Sequence, residues 1–345
     1  MVSLWSGVDA PTHGAGRTNE KQLALRSWDE RLPMLPAELQ ARGYVTAAFV
    51  ANDMLALMPF SRMFDHWRLS NTVNVPLAVA GFPGSNSNGA DARDVVDAAI
   101  RWIDRAPDSG WLSWVHVYEP HLPYRHTHDP ELNYNLARNT RSGDWFVGSR
   151  EQAEVRKAYG GEVAYAERQL MRLIDVLDSR GILDHGIVVF SADHGEELWD
   201  HSAYEHGHSH HGEVTDVPLV FIGPGVAPAK RSDLAALEDI APTIRKMLEI
   251  PTSHPVDLRA PIPGTRVVHL GGTLYRGPMH SYRWGHERLI IEGSRAQEYD
   301  LARDPREQHP LETTAKGAAV GGDTSRATPD VAVELKRLRT LGYVN

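Results

Sequence analysis

Two hydrophobic periods alternate along the first 250 positions. Leu32, Leu35 and Leu39 recur at helical spacing within Leu32–Arg42, Gly43 follows as a C-cap, and Tyr44–Val50 is then a short apolar run of strand type. The order returns further on: Val95, Ala98, Ala99 and Trp102 share one face of a helix over Asp91–Arg105, and Trp111–Tyr118 reads as the strand after it. The longest helical pattern covers Glu151–Arg180, with Val163, Leu170, Leu173, Ile174 and Leu177 on its apolar face, Gly160 and Gly161 as a break and Gly181 as its stop. Strands over Ile187–Phe190 and Val217–Ile222 follow, then a helix over Asp233–Leu248 that Pro242 kinks or restarts.

Between these elements the pattern lapses. Residues 1–30 read as a short helix end and a loop, Gly81–Gly89 as a surface loop, and the polar stretch from Glu119 to Arg150 is long enough to cover a site. From Pro251 the texture changes: Pro and Gly punctuate short strands over Arg266–Leu270, Arg288–Ile291 and Gln297–Leu301, and Asp330–Leu341 reads as a closing helix. Alternating strands and helices predict an α/β core over residues 1–250, a mostly parallel sheet sandwiched by helices. Residues 251–345 form a smaller C-terminal α+β subdomain.

Composition narrows the classes. The 345 residues are 41% hydrophobic and 23% charged, with net charge −9 and no basic block, so neither disorder throughout nor a nucleic-acid footprint fits. The absence of cysteine excludes disulfides, thiolate metal sites and a Cys nucleophile within these residues. No apolar run approaches the roughly 20 residues of a spanning helix. The 18 histidines are many, and they bunch.

Candidate chemistry lies where the strands end. Ile187–Phe190 runs into Ser191-Ala192-Asp193-His194-Gly195, which puts a carboxylate beside an imidazole at a strand's carboxyl end, where open α/β sheets keep their ligands. Asp193 and His194 suit Zn2+, Mn2+ or, with more carboxylates, Ca2+; the other reading is a strand-to-helix turn with Asp193 as N-cap. His201, His206, His208, His210 and His211 fall within eleven positions, an adventitious metal-binding tract for the most part, from which His206 or His208 is the candidate to face Asp193. His121 lies just past the strand Trp111–Tyr118, between Pro120 and Leu122-Pro123, where it too can reach the crevice. Three imidazoles and a carboxylate meeting there would hold a metal and an anion.

Taken in order, these segments resemble a known family. Phe190–Glu197 followed by His206-Gly-His-Ser, Val217–Phe221 and Gly223-Pro-Gly225 is similar to the sulfatase group of the alkaline-phosphatase superfamily. Leu35–Asn52, Trp111–Tyr124, Tyr159–Leu183, Leu237–Pro251 and Glu287–Glu307 match the same group in the same order, so the resemblance spans nearly the whole chain. It implies an alkaline-phosphatase-like fold, Asp193 and His194 as metal ligands, and His121 and His208, with His206 as the alternative, holding the sulfate or phosphate. The implied ion is Ca2+, with Mn2+ or Zn2+ as alternatives. The implied partner is an anionic small-molecule or glycan sulfate or phosphate ester.

In the matched register the family's nucleophile and first metal-binding aspartates fall before Met1, so the catalytic unit is expected to be incomplete in this stretch. The implied activity is metal-dependent hydrolysis of sulfate esters. A phosphomonoester or phosphodiester hydrolase, or a phosphoethanolamine-type transferase with a Ser or Thr nucleophile, is the alternative enzyme. An inactive metal- or anion-binding homologue is the alternative from another class. The resemblance also implies a periplasmic, extracellular or membrane-anchored location, with any signal upstream of Met1.

Overall fold

The computed structural model describes residues 1–19, 22–26, 28–29, 31–52, 55, 59–69, 91–108, 110–126, 148–273, 279–293 and 295–314. The N-terminal stretch forms two short helices, α1 (Val2–Ser6) and α2 (Ala10–His13), and a hairpin of β1 (Gly16–Asn19) and β2 (Gln22–Arg26), where a helix end and a loop were expected. Helix α3 (Leu35–Ala41) leads into β3 (Val45–Val50), which pairs in parallel with β4 (His66–Leu69) on one side and β5 (Trp111–His116) on the other.

Strand β3 explains the layering. Its residues alternate between two apolar surfaces, as a strand's period of two requires. Ala47, Phe49 and Ala51 pack against Val95, Ala98 and Ala99 of α4 (Ala92–Ile103). Ala48 and Val50 face the other way, into a cluster with Leu35 and Leu39 of α3, Val2 and Trp5 of α1, and Ala241. Helices therefore cover both faces, which is why β3 is apolar almost throughout rather than alternating with polar residues.

Helix α5 (Ser149–Ser179) is 31 residues long and runs unbroken through Gly160 and Gly161, where a break was expected. Neither glycine's missing side chain would meet an atom within 4 Å, so both sit on an open helix surface at only a propensity cost. Its Leu173 and Leu177 pack on Val96 and Ile103 of α4, with Trp111 and Val115 of β5 and Val188 alongside. That contact carries β6 (Val188–Ser191) to the sheet; β6 pairs antiparallel with β9 (Leu219–Ile222). Between them lie a two-residue ribbon, β7 (Glu197–Leu198) against β8 (Tyr204–Glu205), and a short helix α6 (Gly212–Thr215).

The helix expected over Asp233–Leu248 is shorter than its pattern. A 3₁₀ turn at Leu237–Asp239 leads into α7 (Ile240–Met247), and Pro242 sits in the first turn, where its missing N–H has no helical partner to lose. Five strands then form an antiparallel meander: β10 (Val267–Gly271), β11 (Met279–Trp284), β12 (Glu287–Glu292), β13 (Arg295–Asp300) and β14 (Leu311–Thr314). Strands β4, β11 and β14 carry too few apolar residues in regular alternation to be read from sequence. Arg288 fastens the meander to the core, donating to the His210 carbonyl at 3.0 Å and to Asp216 at 2.5 Å. The expected loop at Gly81–Gly89 and the closing helix at Asp330–Leu341 lie outside the described residues.

Candidate active site

Two chain segments meet at the carboxyl ends of β5 and β6. From β6, Asp193 and His194 turn out of the strand, and the His194 backbone N–H donates to Asp193 Oδ1 at 3.1 Å. The His194 ring commits Nδ1 to the Gly195 carbonyl at 2.8 Å, which leaves the lone pair on Nε2, 3.8 Å from Asp193 Oδ1. That separation is too long for a hydrogen bond and suits two ligands of one ion. Gly195 is required for a different reason from the turn itself: a Cβ there would stand 2.1 Å from the Glu213 carbonyl oxygen, and its N–H donates to the Val214 carbonyl at 2.7 Å.

From β5 come His116 and, past the strand, His121. His116 is the last paired residue of β5, and its Nδ1 is buried with no hydrogen-bond partner. Burial lowers its pKa against the pull of Asp193, so it is a neutral imidazole. His121 donates from Nδ1 to the Leu122 carbonyl at 2.7 Å, and its N–H is tied to the Tyr118 carbonyl at 2.9 Å. Burial and the neighbouring His206 charge hold its pKa below the usual range, leaving Nε2 an acceptor.

His206 completes the group. Its ring stacks on His194 with centroids 3.9 Å apart and meets His121 edge-on at 5.2 Å. Burial opposes its protonation, but a 2.8 Å contact from Nδ1 to Glu196 Oε1 outweighs burial and raises its pKa. A cationic imidazole thus lies between two others. Burial opposes ionisation of Asp193, but its surroundings, the His194 imidazole first, hold it below the ordinary carboxylate range. An anion entering here would meet His206 as a donor beside the Asp193–His194 pair.

The remaining histidines of the loop are not a loose tract, contrary to expectation. The loop is built around the Glu197 carboxylate, which is fully buried. Glu197 Oε1 accepts from the backbone N–H of His201 at 3.0 Å and of Ala203 at 2.8 Å, while Oε2 meets His208 Nε2 at 3.0 Å and Ser209 at 3.3 Å. His208 is therefore turned into the loop's interior, and it is His206 that joins Asp193, His194 and His121. His201 bonds Glu213, His210 the Gly272 carbonyl and His211 the Tyr299 hydroxyl. Trp199, Ser202 and Glu205 all adopt positive φ, the backbone cost of wrapping so tightly around one carboxylate.

Sequence reasoning passed over His116 and Glu196. His116 has the appearance of a strand-interior residue in Trp114-Val-His-Val-Tyr118, and only its place at the strand's last paired position marks it. Glu196, three residues after Asp193, is recognised once His206 is seen against it.

The chain matches the family model described as Sulfatase over residues 1–250. It is 24% identical to Delta 4,5-hexuronate-2-O-sulfatase of Bacteroides thetaiotaomicron, an alignment covering 90% of this chain and 73% of that protein. Among solved structures, a 2-O GAG sulfatase superposes with TM-score 0.69 at 19% identity, covering 98% of this chain and 79% of the other. The phosphonate monoester hydrolase of Agrobacterium radiobacter superposes with TM-score 0.63 at 19% identity, covering 99% and 85%. The α/β core with its antiparallel C-terminal sheet is the alkaline-phosphatase-like fold of these proteins.

Proposed function

The chain belongs to the sulfatase family, hydrolases of sulfuric esters, and from that premise we propose that it removes sulfate from a 2-O-sulfated uronate in a glycan. The observation that carries the reading is the meeting of Asp193, His194, His121 and His206 at the ends of β5 and β6. The substrate class follows the hexuronate sulfatase, whose alignment covers most of both chains.

Asp193 Oδ1 and His194 Nε2 would hold a divalent cation, and the unpartnered Nδ1 of His116 lies within electrostatic reach of the same carboxylate. The ion we propose is Ca2+, with Mn2+ and Zn2+ as the alternatives that imidazole donors admit. When bound, it would neutralise charge on the sulfuryl oxygens. His206, charged against Glu196, donates from Nε2 to a peripheral sulfate oxygen, and its fixed ring stack keeps that donor in place without reorganisation. His121, neutral with Nδ1 committed to a carbonyl, presents Nε2 to receive or return a proton beside the ester oxygen.

The test, made on the longer protein that carries the nucleophile segment expected before Met1, is a parallel assay of the 2-O-sulfated unsaturated uronate disaccharide, 4-nitrophenyl sulfate, 4-nitrophenyl phosphate and a phenyl phosphonate monoester, each with Asp193→Asn as control. Sulfate release from the disaccharide, abolished in the variant, is expected. Turnover of the phosphonate or phosphate ester in preference to both sulfates would overturn the assignment. Metal analysis of the protein and of Asp193→Asn after equilibration with each ion identifies the cation.

A further inference from the structure

A second group of ligating side chains lies away from the histidine cluster, where the start of α4, the segment after β5 and the middle of α5 come together. Asp91, Glu119 and His126 each offer a ligand atom, and these atoms all lie within 4.8 Å of one another. Glu162, from α5, faces the same imidazole: its Oε2 is 3.7 Å from His126 Nε2, which is 3.8 Å from Glu119 Oε1.

The two glutamates are enclosed, with side chains 4% and 0% exposed. Each is anchored to backbone donors. The Ala92 N–H bonds Glu119 Oε1 at 3.1 Å, and the His126 N–H bonds Glu162 Oε1 at 2.6 Å. The other oxygens, Glu119 Oε2 and Glu162 Oε2, and the ring nitrogen His126 Nε2 are all buried without a hydrogen-bond partner. Buried polar atoms left unpaired cost about 1–3 kcal/mol each, more for charged groups, so three together need an explanation.

Ion pairing within the protein does not supply one. At 3.7 and 3.8 Å the imidazole is too far from either carboxylate for a hydrogen bond, and one imidazolium would face three carboxylates. The ring is nonetheless held in place, stacked on Tyr165 with centroids 3.5 Å apart, and the Tyr165 hydroxyl donates to Asp91 Oδ1 at 2.5 Å. Fixed donors aimed at one point, too far apart to bond each other, are what a cation between them requires.

We propose that Asp91, Glu119, His126 and Glu162 form a second divalent-cation site, distinct from Asp193–His194, for an ion that accepts imidazole nitrogen with carboxylate oxygen, of the Mn2+ or Zn2+ class. The ion would tie α4 and α5 to the segment Glu119–Tyr124 and so position His121, two residues beyond Glu119. The other trio of potential ligands among the described residues, His201, His211 and Glu307, is a poorer candidate, because both ring nitrogens of His201 are engaged by Glu213 and the Glu307 carbonyl.

Asp193→Asn separates this site from the one proposed above. The full chain carrying that substitution, stripped with chelator and re-equilibrated with Mn2+, is expected to retain one equivalent by elemental analysis and to melt several degrees higher than its stripped form. Adding Glu119→Gln or His126→Gln should remove both the bound Mn2+ and the shift. No retained Mn2+ in Asp193→Asn overturns the proposal, as does an equivalent that survives both second substitutions. Should those doubles fail to fold, Asp193→Asn with His201→Gln decides: retention supports the site, and loss moves it to the His201 trio.

Discussion

His201 and His211 lie face to face, ring centroids 3.7 Å apart and planes within 5°, yet they hold opposite protonation states. Burial disfavours charge on His201, but its Nδ1 meets Glu213 Oε1 at 2.6 Å and its Nε2 the Glu307 carbonyl at 2.8 Å, which together push its pKa up to about 9. Burial, followed by the charge on His201, pushes His211 down to about 3. The stack is a cation resting on a neutral ring.

That arrangement gives stability a two-sided pH dependence. The His201 contribution is fully present below its unfolded pKa of about 6.5 and is lost as pH rises toward 9, while His211 resists protonation, so its contribution is lost as pH falls below about 6.5. Glu213→Gln should lower stability near neutral pH by about 1–3 kcal/mol and flatten the decline on the alkaline side. Chemical denaturation from pH 5 to 9.5 reads this; an alkaline decline of the same size in the variant would contradict the pairing.

His206 and His208, two residues apart, should fail in different ways. His206→Ala removes a donor from the site and is expected to lower kcat/KM for a sulfate ester by roughly 10²–10³-fold in the folded fraction, with a loss of stability of its own because Glu196 is left without this partner. His208→Ala leaves Glu197 Oε2 with only the 3.3 Å contact to Ser209 in a sealed interior, costing about 3 kcal/mol, while the folded fraction turns over normally. Kinetics and melting curves on the same preparations distinguish them. If His208→Ala lost kcat at unchanged stability, the division of roles would be reversed.

The glycines offer a contrast of sign. Gly195→Ala forces a Cβ against backbone, 2.1 Å from the Glu213 oxygen, so the strand end carrying Asp193 and His194 must shift, at about 3 kcal/mol and with loss of activity. Gly160→Ala, on the open surface of α5, should stabilise by about 1 kcal/mol. Denaturant midpoints of the two variants should move in opposite directions.

The sequence made the sheet legible because β3 and β5 are short apolar runs each preceded by a helix with one apolar face. The Asp193-His194 dipeptide, which reads equally as a strand-to-helix turn, was singled out by the matching segments around it, and the structure puts the two side chains together at the end of β6. What local pattern could not resolve was which loop histidine turns toward the site. His206 and His208 are equivalent by spacing; the fully buried Glu197 carboxylate captures His208, and Glu196 holds His206. Each glutamate precedes its histidine by about ten residues, and nothing in the one-dimensional pattern ties the two together. The unbroken α5 was misread for a related reason: a glycine pair lowers helix propensity, but packing of Leu173 and Leu177 on α4 overrides it.

Arg245 joins three parts of the chain that are far apart in sequence, and its substitution tests how the N-terminal helix is held. The guanidinium is 4% exposed; Nε donates to Glu38 Oε2 at 2.7 Å, one terminal nitrogen to the Ser6 carbonyl at 3.0 Å and the other to the Pro33 carbonyl at 2.7 Å. A planar fork reaches all three acceptors at once, which an ammonium cannot. Gly7, in the left-handed region at φ 79°, closes α1 against Pro242, so the chain has little room to adjust. Arg245→Met keeps most of the apolar stem but strands these acceptors, at about 3–5 kcal/mol. Arg245→Lys should recover less than half of that loss. Because α1 packs on the sheet through Val2 and Trp5, both variants are expected to expose residues 1–7 to proteolysis before the rest of the core. A lysine variant as stable and as protease-resistant as the parent would show that packing on Trp5 and Val2, rather than the guanidinium, holds the helix.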